Sequence, residues 1–117
     1  MATLTPTLTL VSTDATTDIL SFTITDQLSV TNDIVGPSKI KLTTSDLEIG
    51  PTTYGKSYVY LKNTDDTIAI NIEITDGNST MQLAAGEFAF FPWTGASGIV
   101  AFSASGTPYL EYAIFEA

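Results

Sequence analysis

Three groups of side chains in this sequence have the types that chemistry requires. Asp65-Asp66 and Asp76-Gly77-Asn78 place oxygen donors in two nearby turns, the ligand type that a hard cation such as Ca²⁺ takes. No EF-hand spacing accompanies them, so these residues read first as turn formers and no bound metal is expected. Among the 13 Asp and Glu, a pair held about 5–10 Å apart could hydrolyse a glycoside, but nothing in the sequence pairs any two of them across strands. Ser97, in Gly95-Ala96-Ser97-Gly98, has a nucleophile's hydroxyl in a loop. Its glycine spacing is not that of a nucleophile elbow, and no helix follows. The glycines between Gly95 and Gly106 likewise open no helix and offer no phosphate cradle.

The inventory reinforces these readings. The 117 residues include no His and no Cys, which removes the usual general base, thiolate nucleophiles, disulfides and the commonest zinc ligands. An enzyme is therefore not expected, and neither is a cofactor. Four Lys and no Arg against 13 acids give a formal net charge of -9, which repels phosphate backbones and anionic lipid. Nucleic acid and membrane are not expected partners. No run approaches the roughly 18 apolar residues of a membrane span, and the start MATLTPTLTL lacks a basic signal-peptide region, so synthesis in the cytoplasm is expected.

The elements that would position these residues are strands. Thr is the commonest residue, and with Val, Ile, Tyr and Phe it favours a pleated, half-buried surface. Ile68, Ile70, Ile72 and Ile74 alternate with small and polar residues over Thr67 to Thr75, which predicts a strand with one core face. Tyr58 to Lys62 alternates too, and Asn63-Thr64-Asp65-Asp66 between them predicts a hairpin. Asp76-Gly77-Asn78-Ser79 predicts a second turn, followed by strands at Met81 to Leu83, Glu87 to Phe91, Ile99 to Ala104 and Tyr109 to Glu116. Upstream candidates are Thr7 to Thr13, Asp18 to Thr25, Gln27 to Thr31 and Ser38 to Thr44, with residues 1–6 as an arm. Eight or nine short strands and no helical period predict an all-β fold, one antiparallel sandwich over residues 1–117, jelly-roll-like.

Aromatic residues carry most of the remaining information. In Glu87 to Trp93, Phe88 and Phe90 oppose Phe91 and Trp93, and in Tyr109 to Glu116, Tyr109 and Phe115 oppose Leu110 and Tyr112. Strands apolar on both faces are either sandwiched centrally or covered by a partner or a second copy, and in so small a domain the covering partner is at least as well favoured. The residues expected to meet a partner are Tyr58, Tyr60, Phe91, Trp93, Tyr109 and Phe115, with Trp93 and Phe91 as leading anchors or, in the alternative, as plugs of the open end of the sandwich.

The run YVYLKNTDDTIAINIEITDG, then MQLAAGEFAFFPW, then YLEYAIFEA resembles the small all-β virion proteins of tailed bacteriophages, particularly cyanophage-like ones, over about residues 54–117. The resemblance implies a non-enzymatic capsid decoration, or cement, protein on the virion surface. Its implied partners are the major capsid protein and itself, as a homotrimer. Similar sequences occur in tail and fibre modules, which is the alternative place on the virion. A carbohydrate-binding module, with Tyr58, Tyr60 and Trp93 as a stacking platform, is the rival class.

Overall fold

A computed structural model describes residues 2–74 and 81–117, so the expected turn at Asp76 to Ser79 lies outside the described residues. The chain divides into two compact units, Met1–Thr31 and Asn32–Ala117.

The first unit holds β1 (Ala2–Leu4), β2 (Thr7–Ser12), β3 (Leu20–Thr25) and β4 (Leu28–Val30). They form two separate two-stranded antiparallel sheets, β1 with β4 and β2 with β3. Ala2 to Leu4, expected within a free arm, instead pair with Val30 to Leu28, and the Asp26 amide donates to the Pro6 carbonyl at 3.2 Å. Between β2 and β3, the Ser12 hydroxyl accepts from the amides of Asp14 and Ala15 and shapes the turn.

The second unit contains the sandwich: β5 (Asn32–Lys41), β6 (Leu47–Gly50), a single 3-10 turn (Thr52–Tyr54), β7 (Ser57–Asn63), β8 (Ile70–Glu73), β9 (Met81–Leu83), β10 (Phe88–Trp93), β11 (Ile99–Ser103) and β12 (Tyr109–Glu116). One sheet has the order β10-β7-β12-β5 and the other β6-β11-β8-β9. All pairings are antiparallel and they nest: β8 with β9, β7 with β10, β6 with β11, and β5 with β12. The two strand prolines, Pro37 in β5 and Pro92 in β10, sit in edge strands, where a missing ladder donor costs least.

The core lies between the two sheets. Val59 and Leu61 of β7, Trp93 of β10, and Leu110 and Ile114 of β12 meet Ile49 of β6, Ile70 and Ile72 of β8, Leu83 of β9, and Ile99 and Ala101 of β11. Full burial of each large aliphatic residue contributes about 1.5–3 kcal/mol relative to exposure. The strict alternation of burial along β7 and β11 is the period-2 pattern that one covered face demands.

The all-β, antiparallel sandwich expectation holds, and the local hairpin expectation does not. β7 and β8 belong to opposite sheets, so the Asn63-to-Asp66 turn carries the chain across the core. Alternation tells which face of a strand is buried, but not whether two neighbouring strands share a sheet or face each other. β8 also starts at Ile70, because the amides of Thr67 and Ile68 donate to the Asp65 side chain and not to a ladder. The Ala84-to-Glu87 turn is a second crossing between sheets.

Candidate binding face

Of the residues with catalytic types, Asp65 is engaged in shaping its own turn. The Asp65 carboxylate accepts from the amides of Thr67 at 2.9 Å and Ile68 at 2.7 Å, and these bonds hold its carboxyl below the usual aspartate range. Among the described residues no group of three His, Cys, Asp or Glu could hold a metal ion. The Ser97 carbonyl accepts the Trp93 indole N–H at 2.8 Å. In the same loop Gly95 takes φ of +80°, and a Cβ there would lie 2.6 Å from the Gly55 backbone. The positive φ and the close approach both require glycine at that position of the loop.

Beside it, a cleft of about 390 Å³ is lined by Glu48, Thr52, Glu73, Ser97 and Val100. Glu48 and Glu73 flank Val100 in register, one strand to either side. With no imidazole in the chain, the Ser97 hydroxyl there has no His base.

The outer face of the β10-β7-β12-β5 sheet is different in kind. Opposed residues in an antiparallel ladder share a face. One row runs Phe88, Lys62, Glu111, Lys39 across all four strands, the next is Phe90, Tyr60, Ala113, and a third is Pro92, Tyr58, Phe115. Tyr109 stands opposite Lys41. Phe88 is 62% exposed, Tyr109 49% and Phe90 39%, while Tyr58, Tyr60 and Phe115 are half-buried. The rings are ordered against one another. Tyr58 and Phe90 stack at 6.5 Å with planes 16° apart, and the Lys56 ammonium lies 5.1 Å from the Tyr58 ring centroid. The Tyr60 hydroxyl donates to Glu111 Oε1 at 2.8 Å, and burial, then that bond and the nearby carboxylate charge, push the phenol above its ordinary pKa.

This face therefore gathers Lys39, Lys41 and Lys62, with Lys56 over its Tyr58 edge, which are all four cations of the chain. The face thus concentrates the cations and several exposed aromatic rings of a chain whose net charge is -9.

Of the six residues expected to meet a partner, Tyr58, Tyr60, Tyr109 and Phe115 lie on this face. Trp93 and Phe91 do not. Both point inward, opposite Ser57 and Val59; Trp93 is 4% exposed, and Phe91 packs against the core. They plug the sandwich, and the exposed aromatics of β10 are Phe88 and Phe90. The alternation separated the two pairs but could not say which faced out. The signal that decides it is the pairing with β7, whose aliphatic Val59 and Leu61 lie opposite Phe91 and Ala89.

No helix among the described residues is long and apolar enough to cross a membrane. No family model, no curated protein and no solved structure matches the chain.

Proposed function

We propose that this chain is a non-enzymatic structural protein of a tailed-phage virion, a decoration protein that docks on the major capsid protein through the outer face of the β10-β7-β12-β5 sheet. The observation that carries the reading is that face itself: exposed Phe88, Phe90 and Tyr109 beside Tyr58, with every cation of an acidic chain around them. Binding surfaces concentrate their energy in a few aromatic anchors surrounded by polar groups, and this surface has that composition. The resemblance of residues 54–117 to virion proteins supplies the partner, and the shortage of catalytic groups supports a structural role. The nested strand pairing supports reading the sandwich as a jelly roll, with two Greek keys wound from one long ribbon.

The test uses capsids stripped of the protein. Adding back wild type should raise the temperature at which light scattering reports shell disruption, by mass action on the assembled shell. Phe88→Ser with Phe90→Ser should fold normally and attach about 30-fold more weakly, the equivalent of ~2 kcal/mol for a lost anchor. Failure of the wild type to attach overturns the reading.

The carbohydrate-binding alternative has one favourable observation, the near-parallel Tyr58 and Phe90 rings, which could stack on sugars. Saturable shifts of their resonances with oligosaccharides, and none with capsids, would favour it.

A further inference from the structure

We infer that the β2–β3 ribbon is a self-association element, packing its apolar face against the same ribbon of a second copy of this chain. The inference goes beyond capsid attachment and does not depend on it. Register sets the two faces of the ribbon apart. Leu8 with Ile24 and Leu10 with Phe22 occupy one face, and Thr7 with Thr25, Thr9 with Thr23 and, at its end, Val11 with Ser21 the other. On the threonine face the hydroxyls pair across the strands at 3.3 and 3.2 Å, a surface that water can also solvate. On the apolar face Leu8, Leu10, Phe22 and Ile24 are 39–56% exposed. Among the described residues the sheet has only these two strands. A two-stranded ribbon is marginal alone in water and becomes stable when its hydrophobic face is covered.

Charge identifies the occupant. Residues 7–13 and 19–25 contain no charged side chain; the charges of residues 1–31 are Asp14, Asp18 and Asp26, all at turns. Two copies of a chain of net charge -9 repel, and this face lets them meet without bringing like charges together. An isologous contact matches Leu and Ile of one ribbon with Leu and Phe of the other. An anionic lipid surface would meet the aspartates and be repelled, and a charged protein partner would find nothing on the face to pair with.

The absence of Cys provides a direct probe. In the full chain, Phe22→Cys places the only thiol on the apolar face and Thr23→Cys places it on the threonine face. Under mild oxidation Phe22→Cys should form covalent dimers rapidly, and Thr23→Cys should form them slowly. In sedimentation at micromolar concentration, wild type should run as an oligomer and Leu10→Asp with Phe22→Asp as a monomer that keeps buried Trp93 emission. The Phe88→Ser, Phe90→Ser variant should keep the wild-type mass, which separates this contact from capsid docking. A monomeric wild type overturns the inference. So does an unchanged mass in the aspartate variant, or equal cross-linking at positions 22 and 23. Should the aspartate variant unfold, the cross-linking comparison decides.

Discussion

Replacing Asn63 should damage this protein more than replacing any residue of its exposed aromatic face. Asn63 ends β7 with no solvent exposure, at the point where the chain leaves one sheet for the other. Its side-chain amide donates to the Ile68 carbonyl at 2.8 Å and the Leu83 carbonyl at 3.0 Å, while its oxygen accepts the Asp65 amide at 3.0 Å. One side chain thus ties the end of β7 to the approach to β8 and the end of β9. A net hydrogen bond contributes about 0.5–1.5 kcal/mol, and a buried partner left bare costs about 1–3 kcal/mol. Asn63→Ala should therefore cost about 3–5 kcal/mol, a large share of the ~5–15 kcal/mol that holds a domain folded. With a urea slope of ~1–3 kcal/mol per molar, the midpoint should fall by ~2 M. Emission of Trp93, the single tryptophan, follows the transition. Asn63→Asp keeps the acceptor for Asp65 but turns a carboxylate oxygen toward two carbonyls, so burial and repulsion raise its folded pKa. Its deficit relative to wild type should be largest at neutral pH and shrink as pH falls through that raised pKa, where the protonated oxygen can donate. A loss below about 1 kcal/mol for Asn63→Ala would refute the crossing's dependence on this residue.

Gly95→Ala meets both positive φ and the Gly55 backbone at 2.6 Å, whereas Gly86→Ala at φ of +80° meets no atom within 4 Å. In urea unfolding the first should cost about 3–5 kcal/mol and the second about 1 kcal/mol. Tyr60 and Tyr112 are both raised, by burial first, and for Tyr60 also by its bond to Glu111. Ultraviolet titration should show two tyrosines ionising late. Their stabilising contribution is complete below the unfolded phenol pKa and is lost as pH rises through the folded values; Tyr60→Phe should remove one late ioniser. Asp65 has a lowered pKa, so its contribution is present above the ordinary aspartate range and is lost as pH falls through the folded value. Acid unfolding of Asp65→Ala should show less pH dependence than wild type across that window.

How far the fold was legible follows from what period-2 patterns encode. The apolar faces of Val59 and Leu61, of Ile70 and Ile72, and of Leu110 and Ile114 were visible, because each strand's burial is local information. The partner of each strand was not, since the nested pairing joins β5 to β12 across most of the unit. β6, Leu47 to Gly50, escaped notice because Leu-Glu-Ile is too short for a period to stand out. Asn63 read as a turn residue because its type favours turns, and only burial reveals it as the tie between sheets. On the outer face of the β10-β7-β12-β5 sheet, Tyr58, Tyr60, Tyr109 and Phe115 were legible as aromatic residues alternating with aliphatic ones. Phe88 and Phe90 were not distinguished from Phe91 and Trp93, because all four are aromatic and the inside of the strand is fixed by its neighbour.

The nested pairing also dictates a sequence of events. Joining β8 to β9 closes a short loop, while β7 to β10, β6 to β11 and β5 to β12 close progressively longer ones, and the entropy of closure rises at each step. Folding should zip outward from the β8–β9 end, so Leu83→Ala should slow folding and Ile40→Ala should mainly speed unfolding in stopped-flow measurements. Equal effects on the folding limb would contradict this. On the ribosome, β5 and the edge of β7 away from β10 must wait for β12, which lies between them, to emerge. Until then those backbone edges stand unpaired, and a growing chain is open to aggregation through them until β12 arrives.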